Sequence, residues 1–187
     1  MKRDSNVLKM FKVQEKLNDE LDGKDWKNGI SKTGKKIDWK RAIWLKAAEG
    51  IESYKGWKHW KNREEGVDRE NLKIETANIW QCIMSDILTI RKHESVNEIV
   101  DAFENMGIVG DRINKGDENS FSNEEQIDAF ENIAVIALNG GSEYALVDSF
   151  FELCEVLNMN TEALHTTYMS KNMPKPTGNR GISGEGE

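Results

Sequence analysis

The chain has 187 residues, enough for one well-packed domain, with 37% hydrophobic and 32% charged residues, the balance of a folded helical protein rather than a disordered one. A formal net charge of −7 argues against a nonspecific binder of nucleic-acid polymers or of anionic membranes. Residues 1–6 lead into no apolar leader, no apolar run reaches spanning length, and Cys82 and Cys154 sit within apolar helical patterns. A cytoplasmic protein with two buried free thiols is therefore expected.

Proline is absent before Pro174, so helices can run uninterrupted through most of the chain. Val7, Leu8, Met10, Phe11, Val13, Leu17 and Leu21 recur at helical spacing and stop near Gly23. Residues 22–36, holding Trp26, Gly29 and Gly34, read as turns. Asp38 is the predicted N-cap of a helix carrying Ala42, Ile43, Leu45, Ala48 and Ile51, and Asp68 that of the next, with Glu70 favouring its first turn. That helix, over 69–92, is the most apolar of all. Its Leu72, Ile74, Ala77, Ile79, Trp80, Ile83, Met84, Ile87, Leu88 and Ile90 cover more than one face, which predicts the centre of a bundle or an oligomer interface.

A shorter amphipathic helix over 95–106 and a loop over 107–120 follow. Ser122 and Glu125 form a capping-box pattern opening a helix to Leu138, stopped by Asn139-Gly140-Gly141. Ser142 starts another helix reaching Leu157, and a last one covers 161–171. Residues 173–187 are rich in glycine, with two prolines, and predict a flexible tail behind a single domain over 1–172. There is no internal repeat and no β-alternation of useful length. The predicted fold class is all-α, a helical bundle.

Glu49 and Glu52 share one helical face, as do Glu75 and Asn78. Mg²⁺ takes near-octahedral oxygen ligation from a few carboxylates, substrate phosphates and water, which two facing helices with such pairs can supply. Glutamates three residues apart are also common on solvated faces. All six tryptophans (Trp26, Trp39, Trp44, Trp57, Trp60 and Trp80) fall within the first 80 residues. Trp44 and Trp80, at helical spacing, are assigned to the core. Trp57-Lys58-His59-Trp60-Lys61 alternates rings with cations, a pattern suited to a base and its phosphates. His93 and His165 are isolated, and surface or capping roles suit them. No Ser/His/Asp arrangement, Walker-type glycine loop or Cys/His zinc spacing is present.

Several motifs in order then resemble a family. Gln14-Glu15-Lys16-Leu17-Asn18-Asp19, Trp26-Lys27-Asn28-Gly29, Trp39-Lys40-Arg41-Ala42, the Glu49 segment, Trp57-Lys58-His59-Trp60-Lys61, Glu75-Thr76-Ala77-Asn78-Ile79-Trp80 and Tyr168-Met169-Ser170-Lys171-Asn172 together resemble the dimeric all-α dUTPases of bacteria, phages and trypanosomatids, within the all-α NTP pyrophosphatase superfamily. The resemblance covers about residues 8–172. It implies a homodimer that hydrolyses dUTP to dUMP and pyrophosphate with Mg²⁺. It also implies uracil recognition by Gln14 and Asn18, and a phosphate contact by the pair Lys171 and Asn172. Trp26, Trp57, Lys58, His59, Trp60 and Lys61 join these as candidates for holding the nucleotide. The family's acidic metal ligands fall on positions 46, 49, 75 and 78, with a further acid at 52.

Glu49, Glu52 and Glu75 match that pattern, whereas Lys46 and Asn78 do not. The family's closing Arg-containing and Gly-Tyr segments also have no counterpart beyond Asn172, where Met173-Pro174-Lys175-Pro176 follows. Lysine for glutamate raises the local charge by about two units and asparagine for aspartate by about one, and unit charges a few Å apart interact by roughly several kcal/mol at an effective dielectric near 20. Mg²⁺ affinity should fall, and the metal-supplied chemistry with it. Three readings follow. The first is a nucleotide-binding relative that holds or sequesters its ligand, with the Lys46 ammonium on the phosphates and no cofactor. The second is an active pyrophosphatase using Glu49, Glu52 and Glu75 with Mg²⁺. The third is an inert relic, Lys46 bridging Glu49 and Glu75, that serves as a protein-binding regulator.

Overall fold

The computed structural model describes residues 5–55, 66–111 and 121–173. Among them are seven α-helices and no strand, with two isolated antiparallel bridges, Ile30 to Lys36 and Tyr54 to Val67. The all-α class read from hydrophobic periodicity is the class the chain adopts.

Local side-chain chemistry sets where the helices begin. Helix α1 (Asn6–Leu21) starts where Ser5 accepts the amide of Leu8, α2 (Trp39–Glu52) where Asp38 accepts that of Arg41, and α3 (Arg69–Ile90) where Asp68 accepts that of Asn71. Helix α4 (Val96–Asn105) and α5 (Asn123–Leu138) open with reciprocal capping boxes, Ser95 with Glu98 and Ser122 with Glu125. Ser142 caps α6 (Glu143–Val156) and Asn160 caps α7 (Thr161–Asn172). Each such cap satisfies an amide the helix leaves unpaired and contributes about 1 kcal/mol.

Helix α3 is the central element, as its many-sided apolarity implies. Trp80 at its middle is fully buried, stacked on Phe150 of α6 with ring centroids 4.7 Å apart, and edge-on to Phe151 and to Phe11 of α1. Helix α2 runs antiparallel to α3. Trp39 at its start donates to Thr89 (3.1 Å), Lys40 pairs with Asp86 (3.1 Å), and Ser53 just past its end accepts from Asn71 (2.9 Å). Helix α5 backs α2 through Gly50, where a Cβ would stand 2.4 Å from Cε1 of Phe130. Helix α7 packs on α1 and α3.

One core assignment needs correction. Trp44 is 39% exposed, because the inward stripe of α2 runs through Ile43, Ala47 and Gly50 and turns the neighbouring Trp44 away. Leu45 and Ile74, also placed in apolar helical patterns, are likewise exposed. Cys82 and Cys154 are both free thiols, Cys154 buried and Cys82 half-buried. No helix among the described residues is long and apolar enough to cross a membrane. The expected tail over 173–187, apart from Met173, and most of the loop expected over 107–120 lie outside the described residues.

Candidate functional site

Helix α3 is apolar on most sides but carries one polar stripe. Glu75, Asn78, Cys82 and Ser85 follow at spacings of three, four and three, which puts them on one face. At 1.5 Å of rise per residue the stripe is roughly 15 Å long. Side chains from other helices meet it at both ends, and the two ends differ in chemistry.

One end is charged. The Lys46 ammonium of α2 donates a short hydrogen bond to Glu49 Oε2 and lies 3.8 Å from Glu75 Oε2 of α3. Asn78 Nδ2 donates to that same Glu75 oxygen at 2.9 Å. Lys171 of α7 is within electrostatic reach of Glu75, Glu49 and Lys46. Burial works against the charge on Lys46, but the hydrogen bond to Glu49 and the Glu75 and Glu49 charges raise its pKa above the ordinary value. The hydrogen bond from Lys46 likewise holds Glu49 below the usual carboxylate value. Lys171 is pushed down, first by desolvation and then by the like charge of Lys46, with Glu75 opposing. Asn78 is 6% exposed and its Oδ1 has no hydrogen-bond partner. Beside the cluster, burial pushes the Cys82 thiol up to about 11.

The other end is a buried network of neutral groups. Gln14 Nε2 donates to Asn18 Oδ1 (2.7 Å) and to Ser85 Oγ (3.2 Å), and Asn18 Nδ2 donates to Ser85 Oγ (3.0 Å). The Tyr168 hydroxyl of α7 donates to Gln14 Oε1 at 2.7 Å, and Ser85 donates back to the Gln81 carbonyl at 2.9 Å. Gln14 and Asn18 are only 1% and 2% exposed. Helix α7 thus serves both ends, with Tyr168 at the amide network and Lys171, one turn on, at the charged cluster.

The structure therefore brings Lys46, Glu49, Glu75 and Asn78 into one cluster, with Lys171 within electrostatic reach, and Gln14 and Asn18 into another. Trp26 is fully buried, with its indole N–H donated to Asp19 at 2.7 Å and the Lys27 ammonium 5.5 Å from its ring centre. Asn172 turns its amide onto the Tyr168 carbonyl (2.9 Å), and Glu52 lies on the exposed side of α2. Among the described residues no group of three or more His, Cys, Asp and Glu side chains is arranged to hold a metal ion. Trp57, Lys58, His59, Trp60 and Lys61 lie outside the described residues.

Sequence reasoning gave no site role to Ser85 or Cys82, and Tyr168 entered only as the first residue of the Tyr168-Met169-Ser170-Lys171-Asn172 motif. The first two carried a usable signal, since they continue the Glu75–Asn78 face across an otherwise apolar helix. The bond from Tyr168 to Gln14 carried none, because the two are 154 positions apart.

Residues 6–175 match the family model described as dUTPase, a span that takes in all seven helices and both ends of the polar stripe. No curated protein matches the chain. Helical architecture and that near-complete match agree on one conclusion, which carries with it a nucleotide-related, pyrophosphatase-type function: the chain belongs to the all-α dUTPase family.

Proposed function

We propose that this chain binds a uracil nucleotide and holds it without efficient Mg²⁺-dependent cleavage of its phosphates. The observation that carries this reading is the Lys46 ammonium standing between Glu49 and Glu75, on the two helices to which the family resemblance assigns the metal. Mg²⁺ binds where several oxygen ligands converge in a near-octahedral shell. Here the two carboxylates already share a fixed cation, and Asn78 offers a neutral amide where a third charge is expected. These residues do not fit the metal, so no step of the mechanism is routed through it.

The stripe on α3 supports a nucleotide as ligand. Its length of roughly 15 Å is of the order needed to span a base, a sugar and a first phosphate. Amides such as those of Gln14 and Asn18 present both a donor and an acceptor, the pattern a uracil edge requires. Their present bonds to Ser85 and Tyr168 must be partly exchanged for bonds to the base, at a net cost of about 0.5–1.5 kcal/mol per bond. At the other end, a phosphate oxygen 4 Å from Lys46 or Lys171 would gain about 4 kcal/mol of Coulomb energy at an effective dielectric near 20, before desolvation. Glu49 and Glu75 hold Lys46 charged and in place. A homodimer that uses Mg²⁺ weakly or not at all, in the cytoplasm, completes the proposal.

A second reading has one observation in its favour. Lys46 already has its charge matched by Glu49 and Glu75, as in an inert relic whose surface binds another protein. Calorimetric titration with dUTP and a non-hydrolysable analogue, with and without Mg²⁺, separates the two. Metal-independent binding with intact nucleotide recovered supports the proposal. Release of pyrophosphate in Mg²⁺ restores the ordinary enzyme, and no binding at all leaves the relic.

A further inference from the structure

We propose that a cavity between the first turns of α3 and α7 and the connection from α6 to α7 is a second binding site, and that its ligand is a small branched aliphatic monocarboxylate. The cavity measures about 90 Å³ and is walled by Leu72, Leu157, Met159 and Ala163, with Arg69, Lys73 and Asn158 completing it. It is separate from the polar stripe. At 3.6 residues per turn, Arg69, Leu72 and Lys73 face roughly 150° around α3 from Glu75, Asn78, Cys82 and Ser85. The proposal therefore does not depend on what the stripe binds.

Size and wall chemistry set the body of the ligand. An apolar cavity of about 150 Å³ admits benzene. A cavity of about 90 Å³ has room for a branched group of about four carbons and not for an aromatic ring. The wall stands before any ligand arrives. Leu72 and Met159 are buried, and the α6–α7 connection is held by the left-handed Asn158 (φ 52°) and by the Met159 amide on the Cys154 carbonyl at 2.8 Å.

Charge sets the head of the ligand. Two cations line the cavity and no acidic residue does. Lys73 is matched by Glu70, 3.1 Å away on the exposed surface, which leaves one positive charge among the lining residues and their described partners, that of Arg69. Arg69 Nη1 donates to Gln126 Oε1 (3.2 Å), a neutral oxygen that also accepts from the Tyr54 hydroxyl (2.8 Å). A guanidinium carries five N–H donors, so enough remain for a carboxylate held by two parallel bonds. One carboxylate balances that charge. A phosphate dianion would exceed it, and an uncharged group would leave it unmet. Asp111, which accepts the Thr161 amide, and Glu162 in the first turn already answer the positive end of α7, so the attraction rests on Arg69.

The test is titration of the full chain, with labelled leucine, methionine and alanine methyl groups read by NMR, against 3-methylbutanoate, 3-methylbutanol and benzoate. The acid should shift the signals of Leu72, Leu157, Met159 and Ala163 with a Kd of about 1 mM or lower, and the alcohol and benzoate should bind about 10-fold or more weakly. Arg69→Gln should weaken the acid about 10-fold, and Lys73→Gln should change it by less than about 2-fold. Ala163→Leu, which fills the cavity from an exposed helix position, should abolish binding. Alcohol binding as tight as that of the acid, or acid binding that survives Ala163→Leu, overturns the proposal. It is equally overturned if the acid leaves these signals unmoved; should they move instead on dilution, a second copy of the chain fills the cavity.

Discussion

Tyr168 donates its hydroxyl to Gln14 Oε1 at 2.7 Å, joining α7 to α1 across 154 positions of sequence. That single bond decides which way the Gln14 amide faces. With the oxygen held by Tyr168, the NH₂ group must point to Asn18 and Ser85, as it does. The amide network is therefore oriented from outside itself, by the helix that also carries Lys171.

Tyr168→Phe keeps the ring and removes the donor, leaving a buried carbonyl oxygen unpaired. A loss of about 1–3 kcal/mol in unfolding free energy is expected, measured by urea denaturation of the two proteins side by side. An unchanged midpoint would mean that the hydroxyl does not hold Gln14.

Gly50 lies in the last turn of α2; inside a helix glycine ordinarily costs up to about 1 kcal/mol relative to alanine. Here alanine should be worse, because its Cβ would meet three ring atoms of Phe130 at 2.4–2.9 Å. Gly50→Ala is expected to lose about 1–3 kcal/mol through overpacking, and Phe130→Leu in the same chain should recover part of that. Thermal denaturation of the single and double variants reads the coupling directly.

The Lys46–Glu49 pair should leave a signature in pH. The Lys46 pKa is raised from 10.5, so its contribution is complete below that value and is lost as pH rises through the raised one. The Glu49 pKa is lowered from 4.5, so its contribution is present above that value and is lost as pH falls through the lowered one. The pair therefore stabilises the fold between these limits. Since the two side chains are 32% and 40% exposed, the effect is under about 1 kcal/mol. Comparison with Lys46→Met by urea unfolding should show a difference at pH 7 that shrinks as pH falls below 4.5 and through the lowered Glu49 value.

Cys82 should be a poor nucleophile although it is only half-buried. Desolvation pushes its thiol from 9.0 up to about 11, which cuts the thiolate fraction at pH 8 roughly 100-fold. Alkylation by iodoacetamide, followed by mass spectrometry of the folded protein, should be slower than for a free thiol by about that factor. Labelling at the free rate would place Cys82 in a far more open setting.

Much of the fold was legible in the sequence because its signals are local. Asp38, Asp68, Ser122 with Glu125, and Ser142 each mark a helix start within a few residues, and each caps the helix expected of it. Trp44 was misassigned because the inward face of α2 is set by where Phe130 of α5 meets Gly50, a contact 80 positions apart that periodicity within α2 cannot report. The charged cluster was half legible. The i, i+3 acids and the departures at Lys46 and Asn78 could be read from sequence and resemblance, but the Lys46 bridge to Glu75 needs the two helices side by side. Ser85 and Tyr168 join the site only through contacts 67 and 154 positions long.

The most direct test of the central claim is pyrophosphate release from dUTP in Mg²⁺ by the unaltered chain, alongside the Lys46→Glu, Asn78→Asp double variant. The unaltered chain should release none above background while retaining intact nucleotide, and the double variant should gain Mg²⁺-dependent release. Rapid, Mg²⁺-dependent turnover by the unaltered chain would contradict the claim and make this protein a working pyrophosphatase.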